Sequence, residues 1–310
     1  MLFVSGTPSP TYWSLVLEAT PRLLGTMDRE SLSPTWGSFD RDHWAWKFRD
    51  FPITMLQTGV LPLAWLWSTP LPGNAWSGNG QLLKWIIGAV QVVLDRQHRH
   101  GGFDTVAPNA QDHGVTLAQC YLLATTARLL GDDCPAPLAA RLSDALQRGT
   151  NFAVRSEEDY AFISNHHALF ALAWLRVGTY LGDASLCTRA DDAIATIIEK
   201  QSPDGWYAEY GGPDPGYESL GLHYLAQFER ERPSAMLSQS IDRSLEFLAH
   251  CVQPDGGLGG GFGSRHTIQW FPAAFELLAG RSVVASSIAE FMRSRLGEGQ
   301  VVTPRTVDAH

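Results

Sequence analysis

A phrase that recurs three times is the strongest constraint on how this chain can fold. Segments beginning at Gln97, Gln201 and Gln253 each follow an apolar periodic stretch and lead into a glycine turn. The glutamines are 104 and 52 residues apart, which corresponds to two copies and one copy of a repeat of roughly fifty residues. The turn at residues 156–160 falls near the middle of the 104-residue interval, where a further copy of the phrase would be expected. A repeat holding two helices predicts a stacked or closed array of helical hairpins.

Helical periodicity dominates the rest of the sequence, and alternating strand-like runs are nearly absent. Several periodic segments end in Gly-Asp, as at Gly131 and Gly182, because glycine tolerates the left-handed backbone that closes a helix. We expect an all-α chain, one array over residues 1–310 with an N-terminal arm over about residues 1–50. The predicted helices are Tyr12–Leu24, Ile53–Trp67, Gln81–Arg96, Val115–Leu130, Pro137–Phe152, Ser164–Leu181, Ser185–Lys200, Tyr217–Arg230, Ala235–Cys251, Ile268–Ala279 and Val284–Arg295.

The phrase Gln-x-x-Asp-Gly at a junction of helix and turn resembles phrases that recur in α/α toroids. That group includes triterpene cyclases, prenyltransferase subunits and many polysaccharide lyases. The resemblance covers about residues 50 to 280 and implies an α/α toroid, an incomplete barrel of helical hairpins. In such a fold, inner helices line a central cavity and the glycine-rich turns gather at one end. The fold does not by itself fix the chemistry.

Charge and composition limit the classes of molecule that the chain is expected to bind. The formal net charge is −9, which argues against nucleic acid as a partner. The most apolar stretch, Thr58–Trp67, contains a proline and is far shorter than the roughly 20 residues of a membrane helix. The first residues lack the basic and apolar parts of an export signal, so we expect a cytoplasmic protein with no membrane span. The cysteines, Cys120, Cys134, Cys187 and Cys251, match neither a zinc cluster nor a disulfide framework.

Aromatic and charged residues are interleaved in residues 38–52, ahead of a predicted helix. Aromatic faces can stack on sugar rings or cations, while basic side chains hold an acid group. The predicted substrate-binding residues of this segment are His43, Trp44, Trp46, Lys47 and Arg49. Alternatively, the segment is an ordered arm in which aspartates and arginines pair with one another.

Asn165 and His166 open a segment that is apolar almost all round, which predicts an inner helix whose polar start faces the cavity mouth. An amide can neutralise a uronate carboxylate and so acidify the neighbouring proton, and an imidazole can accept that proton. The alternative is an asparagine N-cap followed by a structural histidine.

The loop over residues 205–218 is rich in glycine, proline, tyrosine and acidic residues, and such loops on rigid scaffolds often carry functional groups. Tyr210 or Tyr217 could give a proton to a glycosidic oxygen, with Glu209 orienting it. Trp206 and Tyr207 are predicted to contact substrate. Alternatively, the tyrosines only cap the array.

The glycine-rich segment over residues 259–266 lacks the lysine of a P-loop and a preceding strand, which argues against a nucleotide site. Arg265 and His266 would instead supply positive charge to a carboxylate or sulfate. Alternatively, the segment is a hairpin linker.

Metal and hydrolase motifs are missing from the sequence. His98, His100 and His113, with Asp104 or Asp112, match none of the compact metal-ligand spacings, and we predict no metal and no cofactor. Neither Gly-x-Ser-x-Gly nor His-Glu-x-x-His occurs.

Together these features resemble the toroidal polysaccharide lyases and heparinase-like proteins. The Asn, His, Tyr and Arg of that family would be carried by Asn165, His166, Tyr217 and Arg265, with Tyr210 as an equal candidate for the tyrosine. The resemblance implies an enzyme that abstracts the C5 proton of a uronic acid in a glycan, as a β-elimination lyase or a C5 epimerase, in capsule or exopolysaccharide metabolism. Such lyases are usually exported and often carry a β-sandwich domain, which this sequence has no room for.

Two alternatives belong to other classes. One is a terpene cyclase-like enzyme acting on a polyprenyl substrate, although Asp40-Arg41-Asp42, Asp132-Asp133 and Asp191-Asp192 all fail to complete its Asp-x-Asp-Asp acid motif. The other is a non-catalytic glycan-binding protein, in which Asn165 and His166 would be structural.

Overall fold

The computed structural model describes residues 11–158, 161–253, 263, 270–296 and 303. The chain divides into two compact units. The first, here called the N-terminal unit, is Leu23–Lys200, and the second, the C-terminal unit, combines Met1–Arg22 with Gln201–Ala309. The prediction of one continuous array over the whole chain stays a prediction.

The described elements are almost all helical, which confirms the all-α prediction. Residues up to Arg22 of the first helix belong to the C-terminal unit and the rest to the N-terminal unit. The elements are α1 (Tyr12–Thr26), α2 (Arg41–Trp44), α3 (Val60–Ser68), α4 (Gly80–Arg96), α5 (His113–Leu130), α6 (Ala136–Ala153), α7 (Ser164–Leu181), α8 (Ala184–Glu199), α9 (Pro215–Glu231), α10 (Ala235–Ala249), α11 (Ala273–Leu278) and α12 (Val283–Ser294), with 3₁₀ turns at Met55–Gly59 and Gly131–Asp133 and the strands β1 (Phe103–Asp104) and β2 (Gln111–Asp112).

Side-chain caps start several of these helices. Asn79 accepts hydrogen bonds from two backbone N–H groups at the start of α4. Asp112, Asp183 and Asp214 cap α5, α8 and α9 in the same way. Such caps satisfy N–H groups that have no partner inside the helix. At the other end of α7, Gly182 adopts a left-handed backbone with φ of 70°.

Helices α5 and α7 form the centre of the N-terminal unit. Helix α5 packs against α3, α6 and α7, and α7 also packs along α8. Both central helices are buried along most of their length. Apolar side chains around almost the whole circumference of α7 favour this position, since such a helix has little surface suited to water. In the C-terminal unit, α9 packs against α10 and α11, and α12 packs against α10 and α11.

The repeated phrase builds the same turn in both units. The side-chain amide of Gln97 donates to the carbonyl oxygens of Gly101 and Ala145, at 2.9 and 2.8 Å. That of Gln201 donates to the carbonyl oxygens of Gly205 and Ser240, at 2.7 and 2.9 Å. Each glutamine thus ties its own turn to a neighbouring helix.

The glycines of the two turns are also equivalent. Gly101 and Gly205 have φ of 100° and 99°. A Cβ atom at either position would overlap a backbone carbonyl, that of Arg148 or that of Arg243. Only glycine fits both the backbone angle and the close approach.

Two predicted helices differ from those observed. The segment predicted as one helix from Ile53 begins with a 3₁₀ turn, and α3 starts only at Val60. The predicted helix Ile268–Ala279 is shorter, because Trp270 and Phe271 are not helical and α11 starts at Ala273. Residues 268 and 269 lie outside the described residues. None of the described helices combines the length and apolar character that crossing a bilayer requires.

Candidate functional site

The most chemically suggestive pair in the N-terminal unit lies at the start of α7. Nδ1 of His166 lies 2.8 Å from Oε1 of Glu158. The imidazole is 36% exposed, whereas the carboxylate is 3% exposed. Because a carboxylate accepts hydrogen bonds, Nδ1 carries the proton of this pair. The nitrogen of His166 that can accept a proton from a substrate, when the ring is neutral, is therefore Nε2.

Two further histidines surround this pair. His113, the first residue of α5, makes a 3.1 Å hydrogen bond through Nδ1 to the hydroxyl of Ser156 and packs edge-on against Phe170. His167 stacks on Phe162, with ring centroids 4.4 Å apart. Burial lowers the pKa of both His113 and His167, against an opposing pull from the Glu158 charge. Both rings are consequently kept neutral around His166.

Asn165 is buried at the start of α7, and Ser164 beside it is buried as well. The N-cap of this helix is Ile163, which has no capping side chain. The asparagine is therefore not the N-cap that the structural interpretation of the sequence required. Its role as the group that neutralises a substrate carboxylate stays a prediction.

In the arm over residues 38–52, the predicted binding residue Arg49 is engaged by aspartates. Its guanidinium contacts Asp40 at 2.6 Å and Asp42 at 3.2 Å. Asp40 is buried and also accepts a 2.7 Å hydrogen bond from the backbone of Ile53. These contacts order the arm, as the alternative interpretation of this segment expects. The indole of Trp44 likewise donates to a backbone oxygen within the unit.

Three other predicted binding residues of the arm remain accessible. Trp46 is exposed and stacks on Phe48, and the guanidinium of Arg41 lies over its ring. Lys47, between them, has a left-handed backbone with φ of 58°. His43 bonds through Nδ1 to a backbone oxygen and lines a small pocket of about 130 Å³.

The loop of the C-terminal unit places its predicted residues in different environments. Tyr207 is buried, and its hydroxyl is 2.7 Å from the hydroxyl of Ser240. Glu209 is also buried and forms a backbone bridge with Gly212. Trp206 is partly exposed. The surroundings of Tyr207 and Glu209 favour a structural role over substrate contact, while their predicted functional roles stay untested.

The two candidate tyrosines differ in backbone and position. Tyr210 is 40% exposed and has φ of 55°, a strained value for a residue with a side chain. Tyr217 lies in the first turn of α9, where its backbone N–H donates to the Asp214 side chain. Strained residues are often found at functional sites, so Tyr210 stays a candidate alongside Tyr217. Arg265 and His266 lie outside the described residues.

Comparisons with known proteins place this geometry on a recognised fold. No family model matches the sequence, and no curated protein matches it significantly. Among solved structures, a xanthan lyase from Paenibacillus is similar with 13% identity and a TM-score of 0.59, over 89% of this chain and 27% of that chain. A chondroitin AC lyase from Streptomyces coelicolor A3, solved with chondroitin sulphate, is also similar, with 14% identity and a TM-score of 0.62. The match covers 93% of this chain and 40% of that chain. The chain has the fold of the α/α-toroid lyases.

The toroidal lyase fold confirms the fold class predicted from the repeated phrase. The chain spans less than half the length of either lyase. At this level of identity the likeness establishes the fold, and the chemistry has to be argued from the side chains.

Sequence reasoning missed Glu158, although it singled out His166. The two residues are eight positions apart in the sequence, and no spacing rule links a carboxylate to a histidine at that separation. The sequence analysis considered His113 only as a possible metal ligand. Within the described part of this toroidal lyase fold, no three or more His, Cys, Asp or Glu residues are arranged to hold a metal ion.

Proposed function

We propose that the chain is a carbohydrate-active enzyme that removes the C5 proton of a uronic acid in a polysaccharide or oligosaccharide. The observation that carries this proposal is the half-exposed His166 held by the buried carboxylate of Glu158. A toroidal lyase fold, whose solved examples are named as xanthan and chondroitin lyases, supports the choice of substrate class.

His166 is the base of the proposed reaction. Its Nδ1–H donates to Glu158, which leaves the lone pair of Nε2 to accept the C5 proton. Glu158 then stabilises the imidazolium that forms, because the negative charge lies 2.8 Å from the ring. The carboxylate is a positioning residue, since it acts through His166 and not on the substrate.

The carbanion left at C5 needs its charge delocalised into the uronate carboxylate. An amide donor close to that carboxylate lowers the cost of proton removal. Asn165, the neighbour of His166 in sequence, is the proposed donor of the N-terminal unit. Substitution of Asn165 by Asp would replace a neutral donor by a negative charge and should abolish turnover.

Two outcomes can follow proton abstraction. In β-elimination the C4–O bond breaks, a C4–C5 double bond forms and an acid protonates the leaving oxygen. In epimerisation a second group delivers a proton to the opposite face of C5, the proton taken by His166 is released to solvent, and no bond of the chain breaks. The sequence-based candidates for the acid, Tyr210 and Tyr217, are each tested by a Tyr→Phe variant. A role in capsule or exopolysaccharide metabolism fits either outcome.

The test is incubation of the purified chain with uronic acid glycans in deuterated water, including xanthan and chondroitin sulphate. Absorbance of an unsaturated product indicates a lyase, and deuterium uptake at C5 without absorbance indicates an epimerase. His166→Ala should remove either signal, and His100→Ala, which changes an exposed histidine, should leave it intact. No signal on any uronic acid glycan, or a signal that survives in His166→Ala, would show the proposal to be wrong.

A further inference from the structure

A second pocket of the N-terminal unit is lined by none of the residues around His166. It measures about 280 Å³. Its walls come from three parts of the unit, namely residues 51–54, the last turn of α4 with Gln97 and His98, and the β1–β2 hairpin as far as Pro108. The pocket is smaller than the roughly 300–1,000 Å³ of sites for drug-sized ligands, so a single sugar ring is the size of molecule it suits.

Arg96 lines this pocket together with two carboxylates, those of Asp95 and Asp104, but forms a direct ion pair with neither of them. Within the described ranges, its guanidinium makes no ion pair and no hydrogen bond. The neighbouring acid Asp95 is engaged elsewhere, by Arg141 at 2.7 Å. An arginine guanidinium that lines a pocket and has no partner there can bind a carboxylate through two parallel hydrogen bonds.

Polar groups that can accept hydrogen bonds line the same pocket. Asp104 contacts Nε2 of His98 at 2.8 Å, and the backbone of His98 is fixed by a 2.9 Å bond to the carbonyl oxygen of Gly102. Oε1 of Gln97 is buried and has no donor among the described residues. Its counterpart in the repeat, Oε1 of Gln201, accepts hydrogen bonds from Ser240 and Arg243. The Gln97 turn therefore differs from the Gln201 turn in having an acceptor without a donor, and Asp104 is the acceptor of the pocket that is partly exposed.

Apolar surface completes the lining. Phe51, Pro52, Val106 and Pro108 contribute side chains without polar atoms. Sugar rings combine a face of C–H groups with hydroxyls at the edge, so a pocket with apolar walls and polar acceptors matches both.

From these observations we propose that this pocket binds one acidic sugar, a hexuronate unit of a glycan. Arg96 binds its carboxylate, Asp104 accepts from its hydroxyls, and Phe51 and Pro52 cover the ring face. Arg96 also lines the smaller pocket that contains His43, which leaves room for the neighbouring sugar of a chain. The choice of a hexuronate rests on the proposed function, but binding at this site does not require His166.

The test is a ligand-observed NMR titration of the whole chain with sodium glucuronate, glucose and sodium acetate. Glucuronate should bind more tightly than glucose, which lacks the charge, and more tightly than acetate, which lacks the ring. Arg96→Gln should weaken glucuronate binding by roughly tenfold or more, the value of a charged hydrogen bond. Arg99→Gln removes the same charge from an exposed residue that does not line the pocket, and should leave binding unchanged.

Binding in His166→Ala separates this site from the catalytic proposal. Retained binding in His166→Ala together with weakened binding in Arg96→Gln supports the second site, whether or not the chain turns over any glycan. Loss in His166→Ala with no loss in Arg96→Gln would place the sugar elsewhere and overturn the proposal. Equal affinity for acetate and glucuronate, or no binding of glucuronate at all, would overturn it as well. A circular dichroism melt of Arg96→Gln confirms that the variant is folded.

Discussion

His166 and Glu158 form a hydrogen bond of 2.8 Å between a half-exposed imidazole and a buried carboxylate. The buried partner fixes the ring and its tautomer, and the exposed edge keeps access to substrate. A histidine that served only structure would not need to keep a third of its side chain exposed. This difference in exposure separates the functional interpretation of His166 from the structural one.

Glu158→Gln should lower kcat with little change in KM. Glutamine can still accept from Nδ1, but it has no charge to stabilise the imidazolium. The loss should be smaller than that of His166→Ala, which removes a general base worth about 10²–10⁴-fold. Steady-state kinetics on a turned-over glycan checks this, and a Glu158→Gln variant as active as the original chain would refute the positioning role.

Gly101→Ala should destabilise the chain more than Gly182→Ala. Both glycines have positive φ, but only at Gly101 would the added Cβ overlap a backbone carbonyl. The strained backbone alone costs about 1–2 kcal/mol, and the overlap adds to that cost at Gly101. Urea unfolding of both variants measures the difference, and equal losses would contradict the close approach to Arg148.

Gln201→Leu should lower the free energy of unfolding more than Gln97→Leu. Each substitution leaves two backbone carbonyls without their donor, at a cost of about 1–3 kcal/mol. Only Gln201 also accepts hydrogen bonds through Oε1, from Ser240 and Arg243. Chemical unfolding of the two variants tests the order, and a larger loss for Gln97→Leu would be the contrary result.

Glu218→Gln should become progressively more stable, relative to the original chain, as the pH rises. Burial raises the pKa of Glu218 well above 4.5, and the charges of Glu209 and Asp214 raise it further, against hydrogen bonds from Ser244 and Tyr207. Above pH 4.5 the unfolded chain ionises this group while the folded chain keeps its proton. The free energy of unfolding therefore falls until the pH reaches the folded pKa.

Glutamine removes this dependence because it cannot ionise. Unfolding measured at about pH 5 and about pH 8 should show a difference between variant and original chain that grows with pH. A constant difference would mean that Glu218 ionises equally in both states.

His167→Phe should reduce the loss of stability in mild acid. Burial lowers the pKa of His167 below 6.5, so below pH 6.5 the unfolded chain binds a proton that the folded chain does not. The free energy of unfolding therefore falls as the pH falls toward the folded pKa. Phenylalanine keeps the stacking on Phe162 without this titration. Thermal melts across this range measure the slope, and identical slopes for both chains would argue against the shift.

Much of the fold could be read from local sequence. The long helices lie within a few residues of their predicted bounds, since periodicity at three and four residues reports directly on a helical face. The repeated glutamine and glycine predicted equivalent turns, and Gln97 and Gln201 do make equivalent bonds. The short secondary-structure elements were harder to predict. Helix α2 and the β1–β2 hairpin were not predicted, because two to four residues carry too little periodicity to detect.

The sequence by itself therefore determined the long helices, which depend on neighbours a few residues apart, and the toroidal class, which followed from a phrase repeated along the chain. Only the tertiary structure decided that Glu158 meets His166, that His113 and His167 close in around that pair, and that Arg49 is engaged by Asp40. These contacts join side chains from separate segments, and the distance between such segments depends on how the helices pack. No periodicity encodes that distance, since side-chain contacts between separate segments arise only when the whole unit folds.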